Sequence, residues 1–262
     1  SVVIPLIMLF TQLIQANLRT KILGGKIEYY NRLESTNAEA WELLALGAEH
    51  GTVVLTDNQF QGKGRGGNSW FMSAGKGLTM SVIINKKYPL EYSGLISLAI
   101  GIAAAQSIEK RGLKPKLKWP NDILINGKKA GGILCETKIQ EGWIKKIVVG
   151  IGINVNETSN EFPDSIKDNS TSMAICSNHP HQRELVVAEF LNSLEYLLEM
   201  THQDSNKIVH EWLDRCGHFN KPITFIEKGK TVEGIFSGLD SLGHASINTN
   251  GKKKLYHAII LD

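Results

Sequence analysis

The apolar positions of the chain switch between a period of two and a period near 3.6, and the switches mark its elements. "GGKIEYYNRL" (24–33) predicts a strand that runs into a polar loop. "STNAEAWELLALG" (35–47) predicts a helix. Thr36 with Glu39 has the form of a capping box, and Gly47 stands where such a helix closes. "GTVVLTDNQ" (51–59) and "GLTMSVIIN" (77–85) are strand-like, with a glycine-rich loop between them. "YSGLISLAIGIAAAQSIEKRG" (92–112) predicts a long apolar helix that stops at Gly112. "LKPKLKWPND" (113–122) opens a strand and a turn. "ILINGKKAGGILCE" (123–136) is a hairpin turning at Asn126-Gly127. "WIKKIVVGIGINV" (143–155) is a buried strand, and 158–171 lacks a pattern and is expected to be a mobile loop. "RELVVAEFLNSLEYLLEM" and "SNKIVHEWLDRC" are amphipathic helices.

After Gly217 only short strands with Gly and Asn turns remain. Residues 217–262 are therefore expected to form a small C-terminal antiparallel β-barrel domain. Residues 1–216 form the main domain, with a lead-in of about 25 residues. Its mixture of hairpins and helices argues for an α+β fold, a mixed sheet flanked by helices, over a doubly wound parallel sheet.

Composition changes this picture little. A hydrophobic content of 42% supports a real core, and a net charge of +3 is too small to argue for nucleic acid. Cys135, Cys176 and Cys216 fit neither a disulfide framework nor a zinc site, so they are expected to be reduced and structural, in a cytoplasmic protein. "SVVIPLIMLF" is apolar but too short to span a bilayer, and no membrane partner is expected.

Several motifs fail on inspection. "KGKT" (228–231) lacks the glycine of a phosphate loop, since Thr224 stands in its place. Gly150 and Gly152 of "GIGINV" have no third glycine for a dinucleotide fingerprint. His179 and His181 flank a proline and are expected to be solvated.

Three stretches carry candidate chemistry, each against a plainer explanation. "GKGRGGNSW" (62–70) is a surface turn in the plainer view, but its glycines let a backbone approach a ligand beside Lys63 and Arg65. Trp70 ends it with a flat face for a base. "KWPNDILINGKKAGGIL" (118–134) is a hairpin with exposed lysines, yet Lys129 adjoins the small residues Ala130, Gly131 and Gly132. Asn121 and Asp122 stand at a strand end, where the Asp122 carboxylate is a candidate for Mg²⁺. "ESTN" (34–37) caps a helix, a role compatible with facing a cleft.

In this order the stretches resemble those of the biotin–protein ligases. The matches are Ser35-Thr36-Asn37, Gln59 with Gly62 to Gly67 and Trp70, Lys118 to Asp122, Lys129 to Leu134, and Gly152-Ile153-Asn154. "KWPND" with a lysine seven residues after its Asp is the most specific of them. The resemblance is strong over about residues 26–156 and looser through the C-terminal segment. It implies a class II synthetase-like catalytic domain and two substrates, ATP and biotin. It implies biotinyl-AMP as intermediate, and transfer to a lysine of a carboxylase's biotin carboxyl carrier protein or domain. By the resemblance Lys129 and Arg65 are catalytic. Ser35, Thr36, Asn37, Gln59, Lys63, Gly64, Arg65 and Lys129 meet biotin. Lys63, Arg65, Trp70, Lys118, Asn121, Lys129 and Asn154 meet ATP.

Two departures stand out. Many relatives carry an arginine-rich loop, where this chain has Lys63, Arg65, Gly66 and Asn68, so two cations are missing. The resemblance then implies a looser hold on the intermediate. Ser35 also lies too near the start for the DNA-binding domain of repressor-type relatives, so no sequence-specific DNA binding is expected, in a monomer or a homodimer. The alternatives are a lipoate–protein ligase, a non-catalytic biotin- or nucleotide-binding module, and a nucleic-acid binder. An arginine pair ahead of small glycines, expected of the first, is absent, and the retained Lys129 argues against the second. The near-neutral charge argues against the third.

Overall fold

The structure, a computed structural model, describes residues 8–227 and 229–257. The start of the apolar lead-in and Lys228 of "KGKT" lie outside the described residues. The chain begins with α1 (Thr11–Ala16), β1 (Ile27–Tyr30), α2 (Thr36–Ala45), β2 (Val53–Thr56), β3 (Gly62–Lys63), β4 (Ser69–Trp70), β5 (Leu78–Ile84), β6 (Tyr88–Pro89) and α3 (Ser93–Glu109). There follow β7 (Lys116–Lys118), β8 (Asp122–Ile125), β9 (Lys128–Gln140), β10 (Trp143–Ile153), α4 (Asp164–Lys167) and α5 (Met173–Ser177). Then come α6 (Arg183–Gln203), α7 (Ser205–Arg215), β11 (Pro222–Glu227), β12 (Lys230–Leu239), β13 (Ala245–Thr249) and β14 (Lys252–Tyr256).

The main sheet runs β1-β2-β5-β10-β9-β8-β7, with β6 pairing β10. Only β1 and β2 are parallel; the remaining pairs are antiparallel, so the sheet is mixed as expected. One face carries Leu78, Met80, Val82 and Ile84 of β5 with Ile147, Val149, Ile151 and Ile153 of β10. Helices α3, α6 and α7 cover that face, and α3 is apolar almost all round because it lies in the middle. On the other face α2 packs Ala40 and Leu44 over Val54, Ile83 and Val148. Alternation then places Thr79, Ser81, Gly150 and Gly152 on this second face. α2 covers one end of it, and the other end is left for a cavity.

The cap of α2 differs from the expected one. Ser35 is the N-cap, its Oγ accepting from Ala38 N–H, while Glu39 accepts from the Tyr30 hydroxyl. Thr36 is thereby released for the cavity. Gly47, at φ 91°, closes the helix: its N–H donates to Leu44 O and Ala48 N–H donates to Leu43 O.

The expected mobile loop is an ordered segment. Thr158 and Glu161 form a capping box, and α4 follows. Lys129 N–H donates to Asn169 O at 2.8 Å, and Thr171 N–H returns to Lys129 O at 2.9 Å. Polar composition hid these backbone partners. His181 is likewise buried and not solvated, with Nε2 2.8 Å from Ser177 Oγ and its N–H on Asn156 Oδ1, whereas His179 is exposed.

Among the described residues the C-terminal strands form an antiparallel meander, β11-β12-β13-β14, with β11 and β14 at its two edges and no closed barrel. It shares the main core through Phe225, Phe236 and Tyr256. Trp119 meets Phe225 and Tyr256 edge to ring, at 5.0 and 6.4 Å between centroids. Trp119 N–H donates to His218 Nε2 at 3.3 Å. The cysteines Cys135, Cys176 and Cys216 are free, and burial pushes the Cys135 thiol up to about 12.

A buried ion pair fastens the start of the described chain. Asp57 pairs with Arg183 at 2.8 Å, accepts from Leu9 N–H at 3.1 Å and from the Tyr29 hydroxyl, while Arg183 donates to Gly77 O. Asp57→Ala strands the Arg183 charge and is expected to cost about 3–5 kcal/mol. Denaturant unfolding checks this, and Asp57→Ala/Arg183→Met should lose less than the single variant.

Burial holds the His218 imidazole neutral and pulls its pKa down to about 4. A depressed histidine stabilises the fold above its unfolded pKa of about 6.5 and loses that contribution as pH falls towards 4. Unfolding free energy is expected to drop across that window by up to about 3 kcal/mol from this group. His218→Gln, which keeps an acceptor, should flatten the slope in denaturant titrations at pH 7.5 and pH 4.5.

Candidate active site

Two rows of residues cross the sheet beneath a cavity of about 210 Å3, and all but Ser81 line it. One row is Ser81, Gly150 and Leu134; the next is Thr79, Gly152 and Gly132. Rows two residues apart lie about 7 Å from each other. A Cβ on Gly150 would collide with the Asn37 amide, and one on Gly152 with the Trp70 indole. The bare strand backbone is therefore what admits both side chains.

Above the first row is a neutral polar recess. Residues 33–34 pair with 59–61 in the manner of a continued parallel ladder, so Gln59 sits beside the start of α2. Gln59 Oε1 accepts from Thr36 N–H at 2.8 Å. Ser81 Oγ lies 2.6 Å from Asn37 Oδ1 and 2.8 Å from Thr36 Oγ1. Asn37 Nδ2 donates to Glu136 Oε2 at 2.8 Å and to Leu134 O at 3.2 Å. Ser35, Thr36, Asn37, Gln59 and Ser81 are all buried, and this web meets the demand that buried polar groups find partners.

Above the second row the cavity is cationic. The glycine-rich stretch is a small hairpin in which β3 pairs with β4. Its tip turns through Gly66 and Gly67, at φ 63° and 81°, the left-handed region that favours glycine. Asn68 serves the tip, its Nδ2 donating to Arg65 O at 2.9 Å. The hairpin brings Lys63, Gly64 and Arg65 to the cavity and lays Trp70 along the floor. Burial pulls the Arg65 guanidinium down in pKa, and the nearby Asp122 carboxylate acts against that. Lys129 Nζ is 2.6 Å from Asp122 Oδ1 and 5.9 Å from the Trp70 ring centroid.

Lys129 owes its position to a bulge. Ile123 pairs with Gly131 and Leu124 with Lys129, which leaves Ala130 without a partner residue. On its other side the Lys129 backbone bonds to 169–171, and Asn154 Nδ2 secures that segment by donating to Thr171 O at 2.9 Å.

The cavity thus gathers Ser35, Thr36, Asn37, Gln59, Lys63, Gly64, Arg65, Trp70, Asn121, Asp122 and Lys129. Lys118 and Asn154 do not line it: Lys118 ends β7, and Asn154 is a buried strut behind Lys129. Thr79, Ser81 and Glu136 escaped the sequence reading. The alternation in "LTMSVII" held a signal for the first two, since Thr79 and Ser81 fall on one face of an otherwise apolar strand. Asp122 is the one carboxylate among the lining residues, and Lys129 already holds it. Among the described residues no group of three His, Cys, Asp or Glu side chains is placed to hold a metal. The side chains present do not fit a resident Mg²⁺.

Comparison with known proteins adds the following. Residues 29–154 match the family described as Biotin/lipoate A/B protein ligase. The chain is 36% identical over 256 residues to the bifunctional ligase/repressor BirA of Bacillus subtilis, covering 94% of this chain and 77% of that protein. It is 31% identical over 235 residues to the biotin–[acetyl-CoA-carboxylase] ligase of Paracoccus denitrificans, covering 81% and 90%. Its fold is similar to that of the biotin protein ligase of Aquifex aeolicus in complex with biotin and ATP. The TM-score there is 0.74 at 25% identity, over 89% of this chain and 96% of that one.

Gly152→Ala is expected to drive the Trp70 ring off the floor and loosen the hairpin. Limited trypsin digestion should then cut after Lys63 and Arg65 several-fold faster than in the parent; equal rates would contradict the packing described.

Proposed function

We propose that this chain, which belongs to the biotin/lipoate A/B protein ligase family, is a biotin–protein ligase that activates biotin with ATP and transfers it to a lysine of a carrier domain. One observation carries the proposal: a recess of neutral polar side chains and a cluster of three cations share one cavity. Biotin has that duality, with an uncharged cyclic urea at one end and a carboxylate at the other. A dithiolane ring such as lipoate's offers the recess no N–H or C=O groups, which favours biotin over lipoate.

In the first step a carboxylate oxygen of biotin attacks the α-phosphorus of ATP, forming a mixed anhydride, and pyrophosphate leaves. Two anions must approach each other, so fixed cations have to offset their repulsion. Lys129, Lys63 and Arg65 supply them, and Lys129 is the catalytic group. Asp122 and the main-chain clamp at 169–171 hold its ammonium near the point of attack. In the second step the acceptor amine attacks the anhydride carbonyl and AMP leaves. Ser35, Thr36, Asn37 and Gln59 meet the urea ring, with Gly64 beside the chain that joins it to the carboxylate. Trp70 and Asn121 serve the nucleotide end. Asn154 acts through the segment that it braces, and Lys118 stands outside the cavity.

The anhydride is hydrolysable, so the hairpin has to cover it and keep water out. Left-handed glycines at the tip and an asparagine that braces it replace the arginines seen in many relatives. The tip of the lid is held by its own turn. The partner is a biotin carboxyl carrier domain of a carboxylase. No helix among the described residues is long and apolar enough to cross a membrane.

Exchange of labelled pyrophosphate into ATP tests the proposal. It is expected with biotin and absent with lipoate or with neither; exchange with lipoate alone would transfer the chain to the lipoate branch. Lys129→Ala should lower biotin-dependent exchange by about 10²-fold or more while the melting temperature holds. Arg65→Gly should shorten the time for which biotinyl-AMP stays bound, as followed by rapid gel filtration.

A further inference from the structure

The lid hairpin shapes its own tip. Gly64 N–H donates to Asn68 O at 2.7 Å, and Asn68 donates to Arg65 O through its N–H at 3.2 Å and its Nδ2 at 2.9 Å. None of these bonds ties the tip to the rest of the protein. Gly66, exposed at φ 63°, does meet another element. A Cβ built on it would stand 3.3 Å from Cδ1 of Ile226 on β11, closer than carbon packs against carbon at rest. Gly66 is therefore bare for two reasons: its left-handed backbone, and the methyl group that lies against it. A side chain there would have to displace Ile226.

β11 holds that methyl in place. Its side chains alternate, with Ile223 and Phe225 buried and Thr224 and Ile226 facing outward. Phe225, the residue before Ile226, packs edge to ring on Trp119 at 5.0 Å and on Tyr256 at 4.7 Å. Trp119 belongs to the stretch that brings Asn121 and Asp122 to the cavity. Glu227, the residue after, pairs with Lys254 of β14 at 2.9 Å. Ile226 thus stands between two anchored neighbours. It is still 54% exposed, so contact with the tip takes apolar surface out of water.

We infer that Ile226 is a positioning residue that latches the tip of the lid against the C-terminal meander, so that the meander helps to set how long the lid stays closed over biotinyl-AMP. This rests on the lid reading above. The contact is apolar and local, and it needs no charge on the tip at Gly66 or Asn68.

Ile226→Thr tests the latch. Threonine keeps the β-branched shape that suits a strand and removes the δ-methyl. Trypsin cutting after Lys63 and Arg65 in the protein without ligands reports lid opening. The lifetime of bound biotinyl-AMP reports closure over the intermediate. In Ile226→Thr cutting should be about threefold faster and the lifetime about threefold shorter, with the melting temperature unchanged. Ile226→Leu, which restores a δ-methyl, should recover both. Ile235 is a control on the same face of the meander: it pairs with Pro222, about 13 Å along the strand from Ile226, and Ile235→Thr should change neither readout. Parental cutting and lifetime in Ile226→Thr, or equal changes in Ile235→Thr, would overturn the inference. So would faster cutting that comes with a lowered melting temperature, which would make Ile226 a residue of the meander's fold alone. Should the parent form no biotinyl-AMP, the biotin reading fails by itself. The cutting rate then decides the latch: about threefold faster in Ile226→Thr supports it, and the parental rate contradicts it.

Discussion

A sheet that holds a small molecule against its face has to be bare where the molecule lies. That constraint organises this protein. Gly132, Gly150 and Gly152 lie in two adjacent rows across β9 and β10, and alternation sends the neighbouring apolar residues to the opposite face. Three helices cover that opposite face, so the sheet keeps its core although part of its other side is open. The glycines weaken the strands slightly, by the entropy such residues lose on ordering. What replaces the missing side chains is functional: an amide laid on Gly150 and an indole laid on Gly152.

The two ends of the cavity use opposite electrostatics. In the recess the side chains that line the cavity are neutral, and most of their polar atoms are already hydrogen-bonded to one another. At the other end Lys129, Lys63 and Arg65 carry charge that a single carboxylate, Asp122, only partly balances. Unbalanced cations are tolerable near the mouth, where Lys63 is exposed and Lys129 is partly so. The bulge at Ala130 joins the two ends. Lys129 stays opposite Leu124 of β8, and 169–171 takes up its N–H and C=O on the other side.

Most of the fold was legible because most elements announce themselves locally. The Asn126-Gly127 hairpin, the apolar α3 and the helices α6 and α7 all lie where periodicity puts them. The failures share a cause: bonds between residues far apart in sequence. The 158–171 segment looked unpatterned because its order comes from Lys129 and Asn154. His181 looked solvated because its partners, Ser177 and Asn156, are not an apolar pattern. Ser35 and not Thr36 caps α2, a difference of one residue that local propensity does not resolve. In the site, residues in motifs could be gathered from the resemblance. Ser81 and Glu136 lie in no motif and matter only through what they touch.

The C-terminal meander is docked rather than tethered. Trp119, from the stretch that also supplies Asn121 and Asp122, packs between the main sheet and Phe225 and Tyr256. Gly94 at the start of α3 meets the turn at Leu242 and Gly243 backbone to backbone. The central claim is that one covered cavity makes the mixed anhydride and keeps it from water. It is tested most directly by mixing the protein with biotin and ATP without an acceptor, then counting pyrophosphate released and biotinyl-AMP retained per chain. The account predicts one equivalent of each, followed by a stall. Continued pyrophosphate release with free biotin and AMP accumulating, or no release at all, would contradict it.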